Sequence, residues 1–212
     1  MKTALACLAA GSILAIASAA SAQDFEPKAA GTLMINFRAT SVSTDVSAPI
    51  KTGAGVDTGL DASVSDDTIP SLGFTYFITD KVAVEAILGT SKHEVTATGG
   101  IPVYDTWVLP PVVSLQYHPL PAARFSPYVG AGVNYMLFYN GDDKPGFHTS
   151  LDDGFGFSLQ AGADIAVQGP WSVNLDVKKV FFETTATVNS GALKADVPLD
   201  PWVVSIGLGR KF

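Results

Sequence analysis

Eight segments of this 212-residue chain alternate apolar and polar residues with a period of two, and the charged residues keep almost entirely to one side of the alternation. In the first, Leu33, Ile35, Phe37 and Ala39 interleave with Thr32, Met34, Asn36 and Arg38; in the last, Trp202, Val204, Ile206 and Leu208 interleave with Val203, Ser205, Gly207 and Gly209. Period two is the repeat of a β-strand whose two faces meet different surroundings. Arg38, Glu85, Asp164, Asp176 and Lys178 all fall in the set opposite the Leu, Val, Ile and Phe positions, and Lys179 is an exception. A charge turned toward the middle of a bilayer costs about 2–4 kcal/mol on a lipid-facing strand, which explains such a segregation if the apolar set faces lipid and the polar set faces a lumen. Beyond the first 22 residues no apolar run approaches the ~20 residues of a membrane helix. The pattern predicts an all-β fold, an eight-stranded antiparallel transmembrane β-barrel, because closure alone satisfies every backbone group inside the apolar layer.

The connections support this. Short ones are expected near Thr79-Asp80-Lys81, across 119–126 and at Gln168-Gly169-Pro170, with long ones at about 41–68, 90–106, 140–153 and 186–199. Short periplasmic turns against long extracellular loops are the plan of outer-membrane barrels, and an even strand count puts both termini on the short-turn side. The first long loop, rich in Gly, Ser, Thr and Asp, reads as solvated and mobile. Tyr76, Tyr117, Tyr128, Trp171 and Trp202 fall near strand ends, where an aromatic girdle belongs.

The amino terminus reads as an export signal over residues 1–22, removed between Ala22 and Gln23, which leaves residues 23–212 as one barrel domain. Lys2 supplies the positive start, residues 4–17 the apolar core and Ala20-Ser21-Ala22 the small-residue cleavage site. Cleavage removes Cys7, the only cysteine, and with it any disulfide, thiol nucleophile or thiolate-bound metal. It also takes the formal charge from −7 to −8, an unfavourable balance for nucleic-acid binding. Neither a cofactor nor a metal is implied. The chain is not expected to be an enzyme: His93, His118 and His148 are scattered, and no serine is seen beside a histidine at a matched strand level. The pairs Asp66-Asp67, Asp142-Asp143 and Asp152-Asp153 read as solvated loop acids without EF-hand spacing.

The lumen set divides into two layers. A polar network of Arg38, Glu85, Gln116, Gln160, Asp164, Asp176 and Lys178 lies at the lower and middle levels, and an apolar group of Ile87, Trp107, Val112, Met136 and Phe138 lies nearer the long loops. Two readings stand side by side: packing that closes a rigid barrel, and a polar plug beneath an apolar funnel. Eight strands enclose little more than their own side chains or one small ligand, which rules out a general porin.

Several stretches resemble the OmpW family (outer membrane protein W): residues 72–81 (LGFTYFITDK) with Val84-Glu85, then Leu109-Pro110-Pro111 with Gln116-Tyr117, residues 127–135 (PYVGAGVNY), residues 174–177 (NLDV), and Asp200-Pro201-Trp202-Val203 with Gly207-Leu208-Gly209. The resemblance implies residence in the bacterial outer membrane, in contact with its lipids, and a narrow channel for small hydrophobic molecules with release sideways into the membrane. The terminal Phe212 resembles the signature read by the barrel assembly machinery, although Arg210 departs from it. The competing expectation is a structural or surface-recognition barrel whose extracellular loops bind a partner without transport.

Overall fold

The computed structural model describes residues 24–44 and 46–212; the expected signal segment and its cleavage site at Ala22 and Gln23 lie outside the described residues. Fifteen strands carry the fold: β1 Leu33–Ser43, β2 Ala48–Thr52, β3 Asp57–Val64, β4 Asp67–Phe77, β5 Val82–Gly89, β6 Ser91–Ala97, β7 Ile101–Leu109, β8 Val112–Tyr117, β9 Phe125–Asp143, β10 Thr149–Leu151, β11 Gly154–Ala166, β12 Trp171–Phe181, β13 Glu183–Val188, β14 Leu193–Pro198 and β15 Trp202–Lys211. Eight of them close an antiparallel barrel in the order β1-β4-β5-β8-β9-β11-β12-β15, and β15 returns to β1 through the register Met34↔Lys211 to Ser43↔Trp202.

The alternation seen in the sequence is the alternation of the wall. Phe37, Leu115, Val129, Val133, Val204, Ile206 and Leu208 stand exposed on the outside, while Asn36, Arg38, Glu85, Gln116, Asn134, Asp164 and Asp176 are buried within. Burying polar side chains and exposing apolar ones inverts the arrangement of a water-soluble protein, and it is stable where the outer solvent is lipid. Lys179 does sit in the outward register; its Nζ donates to the Asp200 carbonyl and lies 5.2 Å from the centre of the Trp202 ring, at the extracellular end of the apolar band.

The long connections are themselves built of strands. Strands β2, β3, β6, β7, β10, β13 and β14 fill them and, with the upper half of β9, form a second tier in the order β10-β13-β14-β2-β3-β6-β7-β9. The first connection, expected to be mobile, is the β2–β3 hairpin, bridged to β6 through Ala62↔Ala97 and to β14 through Lys51↔Lys194. Its Gly and Asp residues mark its turns and masked the short Val, Ala and Ile positions that pack inward. Val46, Ala48, Ala62, Ala186, Ala195 and Val197 form a buried apolar cluster in this tier, a roof over the lumen.

The other end is closed by a segment that strand periodicity does not reveal. Residues 24–30 cross beneath the barrel, with Glu26 N–H donating to the Gly169 carbonyl and Lys28 N–H to the Pro121 carbonyl. This strap turns the Lys28 side chain up into the lumen.

Candidate functional site

Between strap and roof the lumen has two storeys. The lower one is a polar plug. Lys28 Nζ pairs with Asp164 at 2.5 Å; Asp164 accepts from Asn174 Nδ2 at 2.8 Å; Asn174 Oδ1 accepts from Arg38 Nε at 2.6 Å. The Arg38 guanidinium reaches Glu85 at 2.7 Å, and Glu85 also lies 3.3 Å from Lys178, which pairs with Asp176. Tyr128 closes the circuit, donating to Asp176 at 2.8 Å and accepting from Asn174 at 3.1 Å. Three cations thus meet three carboxylates, so the plug carries no net charge while all six are ionised. Unpaired charge in such a place is expensive, and the balance is what lets charged residues occupy the middle of a membrane protein.

All seven residues expected in the polar network are buried. Gln116 Oε1 accepts from His118 Nε2 at 3.0 Å, and Gln160 donates to Glu85 at 3.3 Å. Four further members join the network. Asn174 lies one inward step before Asp176 in β12. Lys28 precedes the first strand. His118 continues the inward series Val112, Ser114, Gln116 just past the end of β8. Tyr128, assigned to the aromatic girdle, points inward instead: within β9 the inward positions Ser126 and Tyr128 alternate with outward Phe125 and Val129. Its ring has room because Gly162 faces it from β11; a Cβ there would stand 2.4 Å from the phenol.

The upper storey is a cavity of about 120 Å3, close to the roughly 150 Å3 at which an apolar cavity stays dry and accepts benzene. Ile87, Val112, Met136 and Phe138 line it as expected, joined by Val108, Val180, Leu199 and Val203 and by the underside of the roof at Ala62, Ala186 and Val197. Trp107 is a correction. Counting back by twos from inward Val112 gives Val108 and Thr106 as the inward pair, and the Trp107 ring is 37% exposed outside, near Tyr139. The cavity floor is polar: Asp176 and Lys178 from the plug, and the hydroxyls of Thr40, Ser71 and Ser205.

A second correction concerns His93. It lies in β6, buried, with Nε2 2.8 Å from Ser91 Oγ and Nδ1 2.7 Å from the Ser65 carbonyl, so a serine and a histidine do touch, at successive inward positions of one strand. The group that orients the ring is a carbonyl rather than a carboxylate, and the pair is a polar spot in the cavity wall. His148 is exposed beside Asp143. The loop acid pairs mostly hold backbone: Asp66 accepts from Thr44 N–H, Asp67 from Lys92 N–H, Asp143 from Thr149 N–H and Asp153 from Phe138 N–H. No cluster of three metal-ligating side chains occurs among the described residues. Phe212 ends the outward series of β15, its N–H donating to the Leu33 carbonyl and its ring 4.7 Å from the Arg210 guanidinium.

With the wall and its two storeys in view, comparison with known families finds a match: the model described as the OmpW family covers residues 29–212. The chain belongs to the OmpW family. Its relatives include an uncharacterized outer-membrane protein of Sinorhizobium fredii, y4mB, 44% identical over 160 residues that make up 73% of this chain and 70% of that one. They also include PahQ of Pseudomonas aeruginosa, named as a dibenzothiophene metabolism operon protein, 34% identical over 180 residues, 82% of this chain and 85% of that one. The crystal structure of the outer membrane protein OprG from Pseudomonas aeruginosa matches with a TM-score of 0.84 at 32% identity, covering 89% of this chain and 99% of that chain. The protein is accordingly an OmpW-type outer-membrane β-barrel.

Proposed function

We propose that this barrel passes small hydrophobic molecules from the outside into the outer membrane. The observation that carries the reading is the stacking of an apolar-walled cavity on a charge-balanced, hydrogen-bonded plug. A hydrophobe gains by leaving water for the cavity, and the plug denies it a straight route to the periplasm, so the exit is lateral. The wall offers a place for that exit. Above Ser43↔Trp202, the β14–β2 pairs among the described residues are Leu193↔Thr52 and Lys194↔Lys51, and the apolar side chains of Val46, Ala48, Ala195 and Val197 pack together in the same tier. The name of PahQ, which ties that relative to the metabolism of an aromatic hydrophobe, supports the substrate class.

The test is uptake of a radiolabelled aromatic hydrocarbon by cells carrying the wild-type barrel, Met136→Asp or Phe138→Asp. A carboxylate in the apolar storey is expected to reduce uptake at least about tenfold, the discrimination a hydrophobic site loses on taking up an unpaired polar group. Unchanged uptake by a mutant that is correctly assembled in the outer membrane refutes the proposal.

A further inference from the structure

We infer that the cavity selects uncharged hydrophobes bearing a single hydrogen-bonding oxygen, such as an alcohol, phenol or ketone, seated on a floor of three linked hydroxyls. The inference deepens the passage reading and rests on it. Thr40 Oγ1 lies 2.7 Å from Ser71 Oγ and 2.9 Å from Ser205 Oγ. All three side chains are buried and all three line the cavity. Three hydroxyls carry three protons, and the two links use two of them. Thr40, in the middle, either gives one hydrogen bond and receives one or receives both. In the first case a terminal serine, and in the second Thr40 itself, keeps a proton with no acceptor among the described residues. A donor left unsatisfied toward an apolar void is costly, and a ligand oxygen that accepts from it removes the cost.

The charge of the ligand follows from the plug. Lys178 and Asp176, which share the floor, are already engaged with each other, and Lys178 also with Glu85, in a set of three cations and three carboxylates. A carboxylate or ammonium head would bring an uncompensated charge into the void, whereas a neutral oxygen does not. The tail of the ligand then rises between Met136 and Val180, away from the polar floor.

Toluene, phenol and benzoate are nearly equal in size and test the two claims. Each is titrated into the purified full chain in detergent, and binding is read from the Met136 methyl resonance. Wild type is expected to bind phenol about tenfold more tightly than toluene, the scale of one hydrogen bond made to an otherwise unsatisfied buried donor, and benzoate no better than toluene. In Thr40→Val/Ser71→Ala/Ser205→Ala the preference for phenol disappears while toluene affinity stays. The milder Ser71→Ala/Ser205→Ala serves if the triple variant lacks the heat-modifiable gel mobility of a folded barrel. Equal affinities for phenol and toluene in wild type, or an equal loss of both in a folded variant, overturn the inference. Benzoate bound as tightly as phenol overturns its claim of neutrality. No response of Met136 to any of the three compounds refutes the passage reading itself.

Discussion

Arg38 shows how closely the lumen is fitted. Its guanidinium bonds Glu85 and its Nε bonds Asn174. Gly73 faces it from β4, where an added Cβ would stand 2.7 Å from one guanidinium nitrogen. Removing one member of a buried pair leaves the other charge uncompensated, so Arg38→Met is expected to destabilise the barrel by roughly 3–5 kcal/mol, whereas Arg38→Met with Glu85→Gln recovers part of the loss. Urea unfolding in lipid vesicles measures both, and additive losses in the double variant count against a coupled plug. Gly162→Ala acts from the opposite side. The new methyl displaces Tyr128, breaks its bond to Asp176, and lowers stability by about 1–3 kcal/mol, the ordinary cost of overpacking a filled interior. A loss from Gly162→Ala that persists undiminished in a Tyr128→Leu background, where no ring faces Gly162, would contradict this route.

At the scale of the element, the hairpin of β6 and β7 is held to the upper end of β9 by charge as well as backbone. Asp105 accepts from Lys144 at 2.9 Å and lies 3.3 Å from Lys92. The hydrogen bond from Lys144, more than that from Lys92, holds the Asp105 carboxyl below the usual carboxylate range. A carboxyl depressed in the folded state stabilises it at pH values above the unfolded value near 4, and the contribution fades as pH falls through the lower folded value. Proteolysis at the hairpin tip, residues 98–100, is therefore expected to accelerate as pH drops from about 5 to 3, with a weaker pH dependence in Asp105→Asn. An identical pH profile in the two proteins would exclude this clamp. The same hairpin shows what sequence patterns conceal. Alternation made the eight membrane segments legible because lipid on one side and a crowded lumen on the other impose opposite demands on neighbouring residues. Above the membrane β6 and β7 bury Ser91, His93 and Thr106 beside Val103 and Val108, so burial no longer follows hydrophobicity, and Gly99-Gly100 and the register shift between Asp105 and Trp107 interrupt what pattern remains. The tier read as loops for that reason.

For the whole molecule, the sequence disclosed which residues share the lumen but not how the lumen is closed. Arg38, Glu85, Asp164, Asp176 and Lys178 were found by phase alone, since each follows from its place in a strand. Lys28 was invisible because it arrives on a strap outside any strand, and the roof was invisible because its Ala and Val positions are gathered from β2, β3, β13 and β14 and the segment before β2. Strap and plug together set a prediction for permeation. Lys28→Ala leaves Asp164 without its cation and opens the lower storey to water, so the variant is expected to conduct small ions across a planar bilayer more readily than wild type. Equal conductance would mean that Asn174 and its neighbours seal the lower storey unaided.

The lining of the upper storey carries one more consequence. Side chains such as Met136, Val180 and Leu199 are about as apolar as the lipid tails outside. For a pure hydrocarbon the partition coefficient between cavity and bilayer is therefore close to one. If the barrel passes hydrocarbons as proposed, it cannot hoard or concentrate them; it equilibrates them across the wall and leaves the direction of net flow to whatever consumes the hydrocarbon.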